Sequence, residues 1–433
     1  MATKPATCRD LAKKVITTFR RRRKPCPSET VLITLFETLF FASLRTEELQ
    51  PISCTLTYLN PNHPDPHPPE RRVANRWSWV PFGDKLPMAI GSLVKLAKAA
   101  DPDTTSLGVY PDEKGNWFIW GMIDQETHYQ SFVNRQRSDG PERPGELSVT
   151  ITGIGNLSVY TDYRLIATLR QNRLIHRYYD VLHTGPIFVA LSLQTQQFIQ
   201  KVRQAVGDDA YTKRNHWDSS LSSNWFNALS RLFLEIQRYG HGGAVLLTPE
   251  ARLSHLSVKY PIRYERLPSS LVANAVLSIS RCNVEDEITA DYIDRPAEEL
   301  PVRAYLDETV YRAEESDTDD EIAGCVRFIS SLSCVDGLVL MDTSLNVNGF
   351  GVEITLNTEV NNLFLAKDEY GTAKSLQQID FNDFGTRHRS MIRYCYSIMG
   401  SIGFVISQDG DVRAITKIGN DVVVWDNIKL KHG

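Results

Sequence analysis

With 433 residues, 42% of them apolar and 23% charged, the chain has the composition of a soluble globular protein and enough apolar material for a sizeable core in two or three domains. A net charge of −4 argues against a wholesale nucleic-acid binder, which would be basic. No apolar run approaches the ~18 residues a membrane span requires. The seven cysteines are scattered without a C-x-x-C pair, so neither a zinc site nor a disulfide framework is expected. They fit a reducing cytosol, and with no secretory signal at the N-terminus a cytoplasmic protein without membrane contact is expected.

Residues 1–27 carry nine Lys and Arg against one acid, peaking at Arg20–Lys24 and closed by Pro25 and Pro27. The segment reads as a basic tail: solvated, or the end of a short helix, with contact to an acidic surface or nucleic acid as the alternative. Ser28 followed by Glu29 and the helical spacing of Val31, Leu32, Leu35, Phe36, Leu39 and Phe40 predicts a capped helix to about Ser43. Ile52–Leu59 alternates as a strand. His63 and His67 are four apart, but the surrounding prolines exclude the helix that would make them a metal pair. From Trp77 to Arg173 an α+β unit is expected, with a helix over Leu86–Ala100 and strands over Leu107–Tyr110 and Trp117–Met122. Residues 131–145 read as a polar loop, followed by a hairpin of Leu147–Ile151 and Leu157–Tyr160. Trp77, Trp79, Trp117 and Trp120 in this unit read first as core, and otherwise as a stacking pocket.

Tyr211–Tyr239 has a strong helical pattern that runs through Gly240-His241-Gly242-Gly243 into an apolar strand, Ala244–Thr248. His241 at that joint is either a ligand contact or a structural histidine. Glu314–Glu321 holds six acids in eight positions and reads as a solvated loop before a helix over Ile322–Leu332. Val335–Met341 is a buried-type strand led by Asp336-Gly337. Val347–Leu356 returns with Gly349 and Gly351, which leave room for close backbone approach. A polar stretch, Asn357–Phe384, precedes Gly385-Thr386-Arg387-His388-Arg389-Ser390. A helix over Met391–Met399 is expected to begin at this cluster, and strands Gly403–Ser407, Val412–Thr416 and Val422–Trp425 finish the chain.

The chemistry is concentrated in two places. Two guanidinium groups, an imidazole and a hydroxyl follow one glycine, a density that suits a polyphosphate, since arginine forks match phosphate oxygens and helix N-terminal N–H groups favour anions. Asp336 beside a glycine offers a carboxylate for a divalent metal. The pair Asp336-Gly337-Leu338 and Gly385-Thr386-Arg387-His388-Arg389 resembles the motifs of the diadenylate cyclase domain, a nucleotidyltransferase, over roughly residues 180–430. The segments Leu35–Glu48 and Trp117–Gln125 are similar to the probable sensor domain DACNV, found ahead of such cyclases.

The resemblance implies an α/β fold: a C-terminal mixed-sheet cyclase-like domain over 180–433 flanked by helices, preceded by a smaller α+β sensor-like domain over 28–175. It implies condensation of two ATP into cyclic di-AMP between face-to-face domains of a homodimer or higher homo-oligomer, under control of an unknown sensor ligand. Asp336, Arg387, His388 and Arg389 would be catalytic. Gly337, Leu338, Gly351, Gly385, Thr386, Arg387, His388, Arg389 and Ser407 would bind substrate, and Asp336 and Asp409 would hold Mg²⁺ or Mn²⁺. The sequence departs from the family at Leu338, where alanine is usual, and at Gln408-Asp409, where two glutamates are usual. Its longer spacer implies an insertion within 357–384. The alternative is a catalytically weakened nucleotide receptor of the same fold. The sequence ends at Gly433 without the modules of DNA-scanning members, so a DNA function is not expected.

Overall fold

The computed structural model describes residues 5–65, 68, 70–71, 76–101, 104–125, 145, 147–161, 164–213, 216–249, 255–292, 302–408 and 410–430. It divides into two units, Met1–Arg177 and Tyr178–Lys431, each of mixed α/β structure. Among the described residues no helix is long and apolar enough to cross a membrane, and all seven cysteines are free.

The first unit opens with α1 (Cys8–Arg22) and α2 (Glu29–Ser43). The expected basic tail is therefore helical from Cys8. Leu11, Ala12, Val15 and Phe19 recur at helical spacing, are buried, and join one core with Leu32, Leu35, Phe36 and Leu39 of α2. Its arginines occupy the outer face and the last turn, where cations complement the helix dipole. Thr7 and Asp10 close a capping box at the start of α1, and Ser28 accepts from the Val31 N–H at the start of α2. Then follow β1 (Thr46–Glu47), β2 (Gln50–Pro51), β3 (Cys54–Tyr58), β4 (Ser78–Pro87), α3 (Ile90–Ala97), β5 (Thr105–Pro111), β6 (Trp117–Asp124), β7 (Leu147–Gly153), β8 (Asn156–Thr161), β9 (Arg164–Arg170) and β10 (Arg173–Ile175). β1 and β2 pair alone. The others form a sheet ordered β10-β9-β8-β7-β3-β5-β6-β4, antiparallel except for β3 against β5.

The expected helix over Leu86–Ala100 is shorter, because Leu86 and Pro87 pair with Ile119 and Phe118 as the end of β4. Trp77, Trp117 and Trp120 are buried. The indole N–H of Trp117 donates to Val31 O and that of Trp120 to Leu59 O, at 2.8 and 2.9 Å. The core reading therefore holds for these three, while Trp79 is 40% exposed. His67 and most of the expected polar loop, residues 131–144, lie outside the described residues.

The second unit runs α4 (Gly185–Val206), α5 (Asp208–Thr212), α6 (Trp217–Arg238), β11 (Gly243–Leu247), β12 (Leu256–Tyr264), α7 (Arg266–Tyr292) and α8 (Val302–Leu332). It continues with β13 (Leu338–Met341), β14 (Val347–Ile354), β15 (Leu363–Ala366), β16 (Leu376–Gln378), α9 (Thr386–Ser397), β17 (Ile402–Ile406), β18 (Val412–Ile418) and β19 (Asp421–Trp425). The sheet order is β12-β14-β13-β11-β17-β18-β19-β15-β16. β11 and β13 are apolar on both faces because both are covered. Val245, Leu247, Val339 and Met341 join the core built with α4, α6, α7 and α8, while Ala244, Leu246, Leu338 and Leu340 pack with Met391, Ile392, Tyr394 and Cys395 of α9.

One expectation changes here. The acidic run Glu314–Glu321 is not a loop but the middle of α8, which lies antiparallel to α7. Arg281 pairs with Glu315 and Glu285, Arg266 with Glu321, and Arg312 with Glu308 and Glu285. Two of the run's carboxylates, Glu315 and Glu321, are thus paired with arginines of α7. The spacer 357–384 supplies β15, parallel to β19, and the edge strand β16, and the Trp425 indole N–H donates to Asp368 O at 2.9 Å to hold the connection.

Candidate nucleotide site

The strand registers bring the two motifs to one end of the nine-stranded sheet. Val245 pairs with Val339, so the starts of β11 and β13 lie level. Gly243 pairs with Ile406, which sets Ser407-Gln408 beside the Gly240–Gly243 joint. Leu338 pairs with Val352, placing Gly351 next to Asp336-Gly337. Ile406 pairs with Val412 and Ala414 with Trp425, which carries Arg413 and Asp426 to the same end. α9 begins there as well: a Cβ on Gly242 would stand 3.2 Å from Nη1 of Arg387 and 3.1 Å from the backbone N of Gln408.

Asp336 is exposed, and its carboxylate has no hydrogen-bond or ion-pair partner among the described residues. The glycines beside it have structural reasons of their own. Between Leu338 and Leu340 the β14 strand carries an extra residue, and Gly351 sits at this bulge with φ +60. Gly337 has φ +115, and a Cβ on it would lie 2.6 Å from the carbonyl carbon of Gly351. Gly337 is therefore required by backbone packing, and Gly351 is favoured by its positive φ. The side chain of Leu338 points into the apolar layer under α9, which is why its bulk is accommodated.

Gly385 differs. Its φ is −67 and a Cβ there would meet nothing within 4 Å, so neither backbone nor packing requires glycine. It caps α9 without a side-chain acceptor, leaving the first-turn N–H groups open at the positive end of the helix dipole. Thr386 and Arg387 are exposed, and Arg389 is half-buried. Neither Arg387 nor Arg389 has a carboxylate partner among the described residues, in contrast to the arginines of α7 and α8.

His388 is not a third cation. Burial, reinforced by the Arg413 and Arg387 charges and opposed by Asp426, pushes its imidazole down to about 4. Arg413 Nη1 lies 3.0 Å from His388 Nε2. Its Nε donates to Asp426 Oδ1 at 2.5 Å, and its guanidinium lies 5.7 Å from the Phe384 ring centroid. The His388 ring is 5.9 Å from the same centroid. Ser407 closes the next turn, with its Oγ accepting from the Asp411 N–H at 3.0 Å. Asp409 lies outside the described residues. His241 is exposed at the same joint.

Sequence reasoning passed over Arg413, Asp426 and Phe384. The signal was present: a charge inside the apolar alternation Val412–Thr416, and another immediately after Val422–Trp425. Tyr260 was also missed. Its ring stacks on Phe350 at 4.8 Å and lies against Gly351, beside the Asp336 loop.

A family model described as "Probable sensor domain DACNV" matches residues 21–124. This span of 104 residues, about a quarter of the 433, falls within the first unit and supports an N-terminal sensor domain. No curated protein and no solved structure matches the chain.

Among the described residues no group of three or more His, Cys, Asp or Glu is clustered as a metal cage. The donor set fits Mg²⁺ or Mn²⁺ nonetheless: one exposed carboxylate suits a hard cation that takes the rest of its shell from phosphate and water.

Proposed function

We propose that the second unit is a diadenylate cyclase domain, condensing two ATP into cyclic di-AMP, and that the first unit senses the signal that regulates it. The observation carrying this reading is the meeting of Asp336 and Arg387–Arg389 at one sheet end, where among the described residues neither Arg387 nor Arg389 has a carboxylate partner and no side chain caps the helix N-terminus. The DACNV match adds the sensor that accompanies such cyclases.

Arg387, Arg389 and the first-turn N–H groups of α9 bind the triphosphate and balance charge that grows on its oxygens as the bond to the leaving group lengthens. Thr386 adds a hydroxyl donor, and the openness around Gly385 lets the phosphates reach the backbone. Asp336 would hold a divalent cation, which would supply Lewis-acid polarisation of the α-phosphate. Two domains face each other, each with one ATP. The 3′-oxygen of one nucleotide forms a bond to the α-phosphorus of the other and releases its proton to solvent water. The bond from that phosphorus to the bridging oxygen breaks, and pyrophosphate departs. The same exchange in the opposite direction closes the ring.

A nucleotide receptor is the second reading, favoured by Gln408 standing where a second carboxylate would serve the metal. The two separate in one comparison. With ATP and Mn²⁺, the wild type forms cyclic di-AMP and pyrophosphate. Asp336→Asn is expected to lose at least 100-fold of that turnover while ATP affinity changes by less than about tenfold, since the carboxylate acts chiefly on the reacting phosphate. Equal binding by both proteins with no product from either would leave the receptor.

A further inference from the structure

Four groups from separate segments meet at His388: Phe384 ahead of α9, His388 in its first turn, Arg413 on β18 and Asp426 just after β19. An arginine side chain has only donors. At 3.0 Å from Arg413 Nη1, Nε2 of His388 is therefore the acceptor, and the imidazole proton belongs on Nδ1. Arg413 is itself fixed, by Asp426 through its Nε and by the Phe384 ring that it shares with the histidine. The charged groups facing the imidazole are Arg413 from β18, Arg387 from α9 and Asp426 beyond β19. Burial first, and then two cations against one carboxylate, keep the ring uncharged.

We propose that Arg413, held by Asp426, is a positioning residue that locks His388 as the neutral Nδ1–H tautomer, so that His388 gives a bound triphosphate a directed N–H rather than a charge. This deepens the cyclase reading and rests on it for the identity of the ligand. The division of labour is chemical: Arg387 and Arg389 supply positive charge, and His388 supplies direction. An imidazolium at this place would set Nε2–H against the Arg413 fork, and its attraction for phosphate would vary with pH. A neutral ring keeps the same hydrogen bond across the physiological range. Lysine in place of Arg413 would retain a charge but lose the two-sided fork that reaches Asp426 and His388 together.

The test uses the full-length chain labelled with ¹⁵N-histidine, with His388 assigned through the signals lost in His388→Gln. The wild type is expected to show protonated Nδ1 and unprotonated Nε2 from pH 8 to 5.5. The opposite tautomer, or a midpoint near 6.5, would overturn the proposal with no variant needed. In Arg413→Met the midpoint should rise by at least one pH unit and both tautomers should appear. Affinity for inorganic triphosphate should fall about tenfold at pH 8 and recover on acidification relative to wild type, as an imidazolium forms; Arg413→Lys should restore part of the loss. Should Arg413→Met fail to fold, Asp426→Asn, which loosens the guanidinium without removing its charge, should let both tautomers appear and weaken triphosphate binding by less, with no rise in the midpoint because the carboxylate that favours the imidazolium is gone. Triphosphate affinity equal to wild type with a parallel pH profile in these variants would overturn the proposal. The tautomer and triphosphate effects without any dinucleotide product would uphold the positioning role and sink the cyclase reading. Product formation untouched in Arg413→Met would do the reverse.

Discussion

The arithmetic of charge at the α9 N-terminus turns on His388. With its folded value near 4 and an unfolded value near 6.5, the unfolded chain binds the extra proton between these limits. Stability from this group is therefore complete above pH 6.5 and declines as pH falls towards 4, by about 1–3 kcal/mol. Thermal melts of His388→Gln should show a flatter decline over pH 6.5–4 than those of the wild type; parallel curves would place the proton elsewhere. The glycines divide just as sharply. Gly337→Ala must push a Cβ into the Gly351 backbone at positive φ and should cost about 1–3 kcal/mol in chemical denaturation. Gly385→Ala, in open space at φ −67, should leave stability within about 0.5 kcal/mol while weakening ATP binding, because there the methyl group meets only ligand.

Among the elements, α1 carries the clearest consequence. A solvated tail could be removed without harm, but Phe19 is buried in the first core with Leu32 and Phe36. Phe19→Ala should destabilise the first unit by about 3 kcal/mol, measured by denaturant unfolding, and deleting residues 1–27 should be worse. The α7–α8 pair makes the second case: Arg281 lies half-buried between Glu285 and Glu315, and Arg281→Ala should cost about 1–2 kcal/mol by stranding Glu315.

These elements also show what the sequence made legible. α2, β11, β13, β14, α9 and β17 were readable because each pairs a strong apolar period with a punctuating Ser or Gly. α8 was not, because Glu315 and Glu321 meet Arg281 and Arg266 only across the pairing with α7, 34 and 55 residues away along the chain. β15 and the edge strand β16 are short and lie inside a polar stretch, with no alternation to reveal them. At the site, Arg387–Arg389 stood out by density, whereas Asp336 is a lone carboxylate beside a glycine, marked only by the resemblance of its motif. Arg413 and Asp426 each looked like an isolated surface charge until the β18–β19 register set them together.

For the whole molecule, the account assigns sensing to the unit that holds the DACNV match and chemistry to the unit that holds the motifs. The proposed face-to-face condensation would add a demand that no single chain could satisfy, since each site would offer the triphosphate that the other's 3′-hydroxyl attacks. Turnover per chain should therefore rise with protein concentration until pairing saturates. The most direct measurement follows ATP with Mn²⁺ across a dilution series of the full-length protein, with products resolved by chromatography and mass. The account predicts cyclic di-AMP and two pyrophosphates per product, with specific activity that falls on dilution. ATP bound yet unconverted at every concentration, or a linear product made at a rate per chain independent of concentration, would contradict it.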